Sequence, residues 1–379
     1  MEQKKLLVIS NNYPSESNIY ANAFIHSRIV HYTKTFDIRV LVFNKNKEDR
    51  TYQHEHIFVQ VTNDKKHFKH YLELYKPDII AIHFVEAWMF DSFIKNFTNP
   101  IYIWVHGVEA LGWYRRLFNF NINNLKEFLA YIKNNALQLV GLRRIIRHSN
   151  LSGQIKFIFV SNWMKHITEH DTLSKIKYAE IIPNPIDTSK FQYAPKGKEK
   201  RKRILLIRPF DSRKYANDLA IKAILELSKR PFFKDIEISI YGKGKFFIPL
   251  TNQIKDFPNV YITHGFVEHN RIPAIHQQHG IFLCPTRQDA QGVSMCEAMS
   301  SGLVVVTSNN TAIPEFVEDN NTGLFANTPK EIADKIELLY YHPELFAYIS
   351  QNASTHIRTI AGHRIIIQRE LALLTSKTD

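Results

Sequence analysis

Two carboxylic acids separated by seven residues carry the strongest chemical signal in this chain. Asp289 and Glu297 lie in the stretch IFLCPTRQDAQGVSMCEAMSSG (281–302), which predicts a buried strand, a polar loop and a helix that ends at Gly302. Long helical side chains lean towards the helix N-terminus, so both carboxylates are predicted to face the cleft beyond the strand. The first amides of a helix lack intrahelical partners and favour an anion; here they belong to Gly292, Val293 and Ser294. Carboxylates for sugar hydroxyls beside amides for a phosphate suit a nucleotide sugar.

Basic residues follow another predicted strand, at 204–207. The segment RPFDSRKYAND places Arg208 at the end of this strand and Arg213 and Lys214 just before the next helix. A diphosphate leaving group gains negative charge as its bond to a sugar breaks, so cations there stabilise the transition state more than the ground state. A solvated basic loop is the alternative interpretation.

Short apolar runs rich in valine and isoleucine alternate with helix-length segments along the chain. Such runs predict strands buried on both faces of a parallel sheet, and their alternation with helices implies right-handed βαβ units. The predicted strands are 6–10, 38–43, 79–82, 101–105, 157–160, 204–207, 236–241, 260–263, 281–284 and 303–307. We therefore predict an α/β fold of two Rossmann-like domains facing a cleft. The predicted boundaries are 1–192, a basic and mobile linker at 193–203, 204–355, and a final helical segment at 356–379.

The composition agrees with a folded protein of two domains. A chain of 379 residues is longer than a single domain with one hydrophobic core usually is. Its content of 44% hydrophobic and 22% charged residues is typical of folded proteins. The sequence contains no run of 18 apolar residues, so no transmembrane helix is predicted. The start MEQKKLLVIS leads directly into a predicted strand, and no secretory signal is expected there. Cys284 and Cys296 lie in apolar contexts and are predicted to be buried thiols in a reducing compartment.

The net charge of +13 calls for an anionic partner or surface. Nucleic acid and an anionic membrane are both possible, but no nucleic-acid-binding module is recognisable. One basic cluster is KGKEKRKR (196–203); the other spans 111–148 and is also rich in aromatic residues. Apolar residues of the second cluster recur at helical spacing: Leu125, Phe128, Leu129, Ile132, Ala136, Leu139 and Val140. This pattern fits an interfacial amphipathic helix, or an ordinary helix packed on its own domain.

The motif around Glu297 resembles the Glu-x7-Glu signature of the large retaining glycosyltransferase family of GT-B fold, the group 1 glycosyl transferases. The EAM-x-x-G ending and the hydrophobic run at 303–306 match the family closely, whereas Asp289 stands where the family has Glu. The shorter side chain affects how the donor sugar is held. The resemblance spans nearly the whole chain, is strongest from 157 to 325, and suggests that the final helix crosses back to the first domain.

The resemblance implies roles for the second-domain residues. Asp289 would hold donor sugar hydroxyls and Glu297 the ribose hydroxyls, while Arg208 and Lys214 would bind the donor diphosphate, with Arg213 as a substitute for Lys214. The turns IYGKGKF and NVYITHGFV would approach the nucleotide. Their donor-binding candidates are Gly242, Gly244, Gly265, Phe266 and Val267.

Candidates in the first domain follow two other predicted strands. His106, in IYIWVHGVEA, lies at a strand tip, and the family places such a histidine near the donor sugar and phosphate. Glu109 is close by and could orient the acceptor. The loop after the first strand lacks the glycine pair usual in the family, and Asn11 and Asn12 occupy it as acceptor-side candidates.

The expected activity is transfer of a sugar from a nucleotide-diphosphate sugar to a glycan or lipid-linked acceptor, with retention of configuration. No metal and no cofactor besides the donor are expected, since cations would take the place of a metal. A cytoplasmic enzyme, peripheral on the inner face of the membrane, would serve cell-surface polysaccharide biosynthesis, such as capsule or lipopolysaccharide. Three alternatives remain: a sugar-nucleotide epimerase, a non-catalytic nucleotide-sugar-binding protein on the same fold, and a nucleic-acid binder.

Overall fold

The computed structural model describes residues 3–16, 18, 21–119 and 125–376. The chain divides into two compact units. Unit 1 comprises Met1–Leu117, Asn121–Asn184 and Ile366–Asp379, and unit 2 comprises Phe118–Phe120 and Pro185–Ile365. The structure divides the chain after residues 184 and 365, whereas the sequence predicted boundaries after residues 192 and 355.

Unit 1 is built on an eight-stranded sheet of order β3-β4-β2-β1-β5-β6-β7-β8. Its strands are β1 (Lys4–Ser10), β2 (Phe36–Phe43), β3 (Arg50–His54), β4 (Ile57–Thr62), β5 (Ile79–His83), β6 (Ile101–Val105), β7 (Ile155–Phe159) and β8 (Ala179–Ile181). Only the β3–β4 pair is antiparallel among the described strands. The helices are α1 (Ala23–Tyr32), α2 (Lys65–Tyr75), α3 (Trp88–Ser92), α4 (Leu125–Ser152) and α5 (Asn162–Thr172).

Unit 2 contains a six-stranded parallel sheet of order β11-β10-β9-β12-β13-β14. Its strands are β9 (Arg203–Ile207), β10 (Glu237–Gly242), β11 (Val260–His264), β12 (Ile281–Cys284), β13 (Val304–Thr307) and β14 (Leu324–Phe325). The helices are α6 (Asn217–Leu227), α7 (Phe247–Thr251), α8 (Ile272–Gln278), α9 (Val293–Ser300), α10 (Pro329–Tyr341), α11 (Pro343–Ala361) and α12 (His363–Thr375), whose residues from Ile366 onwards belong to unit 1.

The predicted parallel α/β fold is confirmed, and every predicted strand is present. Central strands such as β5 (IIAIH) and β6 (IYIWV) are buried along their whole length, as their unbroken apolar sequences require. The prediction missed β3, β4, β8 and β14. Strand β3 (RTYQH) is mostly polar because it lies at the edge of the sheet, and β8 and β14 are only three and two residues long.

The end of the chain packs into the core of unit 1. Ile366 and Leu374 belong to the hydrophobic cluster that includes residues of β1 and β2. On the same helix, Glu370 is fully buried, lies 3.0 Å from the Arg28 guanidinium and accepts a hydrogen bond from the Tyr32 hydroxyl. Removing one partner of such a buried pair costs about 3–5 kcal/mol, because an unpaired charge remains. This network therefore fixes α12 onto α1.

The basic stretch at 193–203 is an ordered part of unit 2. Lys196 is buried and donates to the backbone carbonyl of His276 at 2.7 Å, and burial lowers the pKa of its amine to about 8. Lys202 pairs with Glu199 and Lys198 with Glu344. Much of this positive charge is thus used within the chain, which weakens the case for nucleic acid.

Helix α4 packs on its own unit and also has an exposed face. Leu142 and Ile145 are fully buried, so its second half packs on unit 1. A further set of residues follows one exposed face; we call it the α4 stripe: Leu129, Lys133, Leu137, Val140, Arg144, Arg147 and Leu151. Among the described residues, no helix is both long and apolar enough to cross a membrane. Residues 120–124 of the predicted 111–148 element lie outside the described residues.

Candidate functional site

A cavity of about 340 Å³ in unit 2 opens at the carboxyl ends of β9 and β10, beside the first turn of α9. This is the edge at which parallel α/β sheets bind ligands. It brings together eight of the residues predicted from the sequence: Arg208, Gly242, Gly265, Phe266, Val267, Val293, Ser294 and Glu297. Sequence reasoning missed four other lining residues, namely Ile207, Pro209, Tyr215 and Tyr241.

Arg208 is the buried cation of this cavity. It directly follows β9 and is only 5% exposed, and its Nη2 donates to the carbonyl of Cys284 at 3.2 Å. Its Nε is buried without a hydrogen-bond partner, and its guanidinium forms no ion pair within the described part of the chain. A buried charge of this kind is costly unless an anion pairs with it.

The ring of Tyr215 holds a second cation beside Arg208. The Arg208 guanidinium lies 5.5 Å and the Lys214 ammonium 4.6 Å from the ring centroid, both within cation–π range. Ser212 fixes the turn, because its hydroxyl accepts from the backbone N–H of Lys214. Arg213 instead lies over the ring of Phe246 and lines a different cavity. The geometry thus favours Lys214 over Arg213 as the partner of Arg208.

Asp289 binds the beginning of α9 instead of lining the cavity. Its Oδ1 accepts from the backbone N–H groups of Gly292, at 2.8 Å, and Gln291, at 3.2 Å. The Gly292 amide, predicted to favour a ligand anion, thus donates to the carboxylate of Asp289 in this structure. Val293 and Ser294 follow in the first turn, where amides lack intrahelical acceptors, and both line the cavity.

Glu297 belongs to a polar chain that the sequence did not reveal. Its Oε1 lies 3.1 Å from His269 Nε2, and His269 Nδ1 lies 2.7 Å from the ammonium of Lys190. An ammonium can only donate, so Nδ1 accepts and Nε2 carries the proton given to Glu297. Lys190 and His269 are 79 residues apart, and only the folded chain brings them together.

The two glycines of IYGKGKF have different surroundings. Gly242 lines the cavity, and a Cβ there would lie 2.5 Å from the carbonyl oxygen of Arg208. Gly244 does not line it: with φ +143° it packs against the backbone of Phe210 and Asp211. We conclude that Gly244 supports the loop that carries Arg208, instead of contacting a ligand in this cavity.

An exposed aromatic residue stands at the rim of the cavity. Phe266 is 64% exposed, although it is large and apolar, and it follows Gly265, whose φ of +151° suits glycine alone. Val267 completes this edge. Such a surface can accept the flat face of a nucleotide base, because every base presents a π-face for stacking.

In unit 1, His106 follows β6 and sits among aromatic rings. Its Nε2 lies 2.9 Å from Nδ1 of His83, and the ring of Phe24 is 5.0 Å away. Burial, together with the charge of Arg28, lowers the pKa of His106 to about 3. The imidazole is therefore neutral at physiological pH and can offer a hydrogen bond but no positive charge.

Glu109 is buried, and only one of its two carboxylate oxygens has a hydrogen-bond partner among the described residues. Its Oε1 accepts from the backbone N–H of His106 at 2.7 Å, whereas Oε2 is buried without a partner. Burial raises the pKa of this carboxyl, although nearby donors oppose the shift. Glu109 lines a cavity of about 260 Å³, which also contains Asn11, Phe84, Val85, Glu86, Val108, Tyr131, Asn134, Asn135 and Gln138.

Side-chain amides hold the glycine-free loop after β1. Asn22 donates to the side chain of Asn11 at 2.9 Å, and Lys47 donates to that of Asn12 at 2.6 Å. Asn22 itself is in the left-handed region, with φ 51°. A polar cavity of about 480 Å³ adjoins this loop, lined by Asn11, Asn12, Asn22, Phe43, Asn44, Lys45 and Glu86.

The chain matches known proteins in sequence. Residues 201–342 match the family model described as Glycosyl transferases group 1. Alpha-monoglucosyldiacylglycerol synthase from Acholeplasma laidlawii is 26% identical over 99 residues, covering 26% of this chain and 25% of that protein. The chain spans between 18% and 35% of the length of three curated relatives that it matches.

Solved structures match over nearly the whole chain. Sucrose-phosphate synthase from Thermosynechococcus elongatus superposes with a TM-score of 0.74 at 13% identity, covering 98% of each chain. HepE from Anabaena, solved in complex with UDP, gives 0.70 at 14% identity, covering 99% of this chain and 100% of that one. The fold is GT-B, and the match of residues 201–342 confirms the family resemblance over that part of the chain.

Comparing two neighbouring cations tests the site directly. We expect Lys214→Ala to weaken nucleoside-diphosphate binding about tenfold or more, because a hydrogen bond to a charged group contributes about 1.5–3 kcal/mol. Arg213→Ala serves as the matched control, with an expected change below about twofold. Calorimetric titration with UDP, GDP and ADP measures both. A larger loss for Arg213→Ala than for Lys214→Ala would contradict this assignment.

Proposed function

We propose that this chain, whose residues 201–342 belong to the group 1 glycosyl transferases, transfers a sugar from a nucleotide-diphosphate sugar to a glycan or lipid-linked acceptor with retention of configuration. The observation that carries the proposal is the unpaired guanidinium of Arg208, buried in a cavity beside the first turn of α9. A diphosphate supplies the missing anion. It also reaches the helix amides that follow Gly292.

The donor diphosphate is the group that the two cations act on. As the bond between the sugar and the phosphate breaks, negative charge collects on the leaving diphosphate. Arg208 and Lys214, both within cation–π distance of the Tyr215 ring, stabilise that charge more strongly as it grows. In this proposal they replace a metal ion, and catalysis requires no cofactor besides the donor.

The rest of the donor occupies the remainder of the cavity. Glu297 accepts from the ribose hydroxyls, and its carboxylate is held in place by His269. Phe266 and Gly265 receive the base. HepE from Anabaena binds UDP, and a uracil nucleotide is therefore the first donor to try. Asp289 does not line the cavity, so in this proposal the donor sugar extends beyond the cavity and meets the part of the Asp289 carboxylate that does not bind the helix.

The acceptor is assigned to unit 1. Glu109 has a buried oxygen without a partner in a cavity rich in side-chain amides, which suits a sugar hydroxyl. His106 is neutral and contributes a hydrogen bond. In the proposed step the acceptor oxygen bonds the anomeric carbon on the face that the diphosphate leaves, and the hydroxyl proton passes to a phosphate oxygen. No enzyme nucleophile takes part.

The α4 stripe supports a peripheral position on an anionic membrane, at its cytoplasmic face. It contains both exposed apolar and basic residues: Leu137 and Val140 are each 58% exposed, and Arg147 and Lys133 lie on the same face. Apolar side chains beside cations are typical of helices that lie in the membrane interface. The relative from Acholeplasma laidlawii is named for a diacylglycerol lipid. A lipid-linked acceptor in cell-surface polysaccharide synthesis agrees with both observations.

Acceptor-dependent release of nucleoside diphosphate tests the proposed reaction. The full chain is incubated with UDP-, GDP- and ADP-sugars, with and without lipid-linked glycans, and the released diphosphate is measured. We expect release only with an acceptor, and proton NMR of the product should show the donor's anomeric configuration. Glu109→Gln should lower transfer about tenfold and leave nucleotide affinity unchanged, whereas exposed Glu73→Gln serves as the control.

Two outcomes would contradict this proposal. Conversion of the donor sugar without any acceptor would identify an epimerase instead. Tight nucleotide binding with no turnover across the acceptors would favour a non-catalytic binding protein.

Flotation with liposomes tests the membrane face. We expect the wild-type chain to float with vesicles containing anionic lipid and not with neutral ones. The double change Leu137→Asp and Val140→Asp should lower the bound fraction about tenfold or more, since each buried apolar side chain contributes roughly 1–2 kcal/mol. Leu74→Asp, at an exposed apolar position on α2, is the control. If the double variant and Leu74→Asp float to the same extent, the α4 stripe is not the membrane-binding face.

A further inference from the structure

Two imidazoles and a carboxylate meet on unit 1, outside all the residues assigned to the proposed reaction. We propose that His26, His54 and Glu55 form a binding site for one late first-row divalent metal ion, with Zn²⁺ as the best fit. Each residue offers one ligand atom, and the three atoms lie within 4.8 Å of one another.

The donor atoms are close to the positions that a metal requires. His26 Nε2 and Glu55 Oε2 are 3.0 Å apart, and the rings of His26 and His54 have centroids 4.5 Å apart. Zinc bonds of about 2.0–2.2 Å place tetrahedral ligands roughly 3.4 Å from each other. All three separations lie within 4.8 Å, so none needs to shorten by more than about 1.4 Å. The Glu55 side chain is 68% exposed and is free to adjust its position around an ion.

Three different backbone features bring these residues together. His26 lies on α1 and is almost buried, so its ring is already fixed. His54 is the last residue of β3, and Glu55 begins the two-residue turn that leads to β4. Both turn residues, Glu55 and His56, have left-handed φ values of 45° and 69°. Such turns normally contain asparagine or glycine. Here the turn directs a carboxylate towards a histidine on another element.

The donor set determines which ion fits. Two imidazole nitrogens and one carboxylate oxygen suit zinc and its neighbours in the first transition row. Magnesium and calcium prefer oxygen ligands throughout, so they fit poorly. Three protein ligands leave one position of a tetrahedral ion open to water.

A hydrogen bond behind the first histidine completes the arrangement. The hydroxyl of buried Tyr13 lies 2.6 Å from Nδ1 of His26, and its oxygen can accept a hydrogen bond from Nδ1–H when Nε2 binds the ion. Partners of this kind orient metal-binding histidines. The backbone N–H of Tyr13 in turn donates to the side chain of Asn12 at 3.0 Å. An ion here would thus connect α1, the β3–β4 hairpin and the loop after β1.

Direct metal titration of the full chain tests this site. The protein is stripped with a chelator, dialysed and titrated calorimetrically with ZnCl₂. We expect one ion per chain, and an affinity at least about tenfold lower for Glu55→Gln and His54→Asn. Tyr13→Phe should weaken binding by about 10–100-fold, the usual effect of removing such a partner. His56→Asn, next to the site but outside the ligand set, is the matched control and should bind like the wild type.

Two results would overturn the proposal. One is wild-type affinity in both Glu55→Gln and His54→Asn, which would mark the zinc as bound to other surface histidines. The other is a folded wild-type chain that binds no zinc. Circular dichroism of each variant verifies folding, and exposed Glu55 is the change least able to disturb it. Because the measurement is metal binding, its result is independent of the proposed sugar transfer.

Discussion

A buried guanidinium without a counter-charge is the constraint on which the ligand cavity of unit 2 depends. Within the described residues, the Arg208 guanidinium donates through Nη2 to the carbonyl of Cys284, and its buried Nε has no acceptor. An interior can hold such a charge only if an anion or strong dipoles compensate it. The surrounding chain provides a cation-binding ring and a helix start, and in the proposed function the donor diphosphate supplies the anion.

Several local features become necessary once Arg208 is fixed. Its loop passes so close to the end of β10 that Gly242 and Gly244 have no room for a Cβ. The ring of Tyr215 contacts both the Arg208 guanidinium and the Lys214 ammonium. Asp289 satisfies the first amide at the start of α9 and leaves the following amides for a ligand. The carboxylate thus shapes the anion site, in addition to any contact with the sugar.

The sequence predicted the features that depend on residues close together in the chain. Unbroken apolar runs gave the central strands, and the residues just after them gave Arg208 and His106, because strand ends define the ligand edge of a parallel sheet. Contacts between distant segments could not be predicted. No sequence motif connects His269 with Lys190, and none connects His26 with the β3–β4 turn. Gly244 was predicted to bind the donor, but it packs against the protein backbone. The spacing of glycines in a sequence cannot distinguish these two roles.

The central claim is that Arg208 needs the diphosphate, and calorimetry with Arg208→Gln tests it most directly. UDP, GDP and ADP are titrated into the wild type and the variant in the presence of EDTA, with the corresponding nucleosides as controls. We predict that one diphosphate binds the wild type without metal, that its nucleoside binds far more weakly, and that Arg208→Gln loses about thirtyfold or more in affinity, corresponding to about 2 kcal/mol for a charge-assisted contact. Equal affinity of the wild type and Arg208→Gln for the diphosphate would contradict this account.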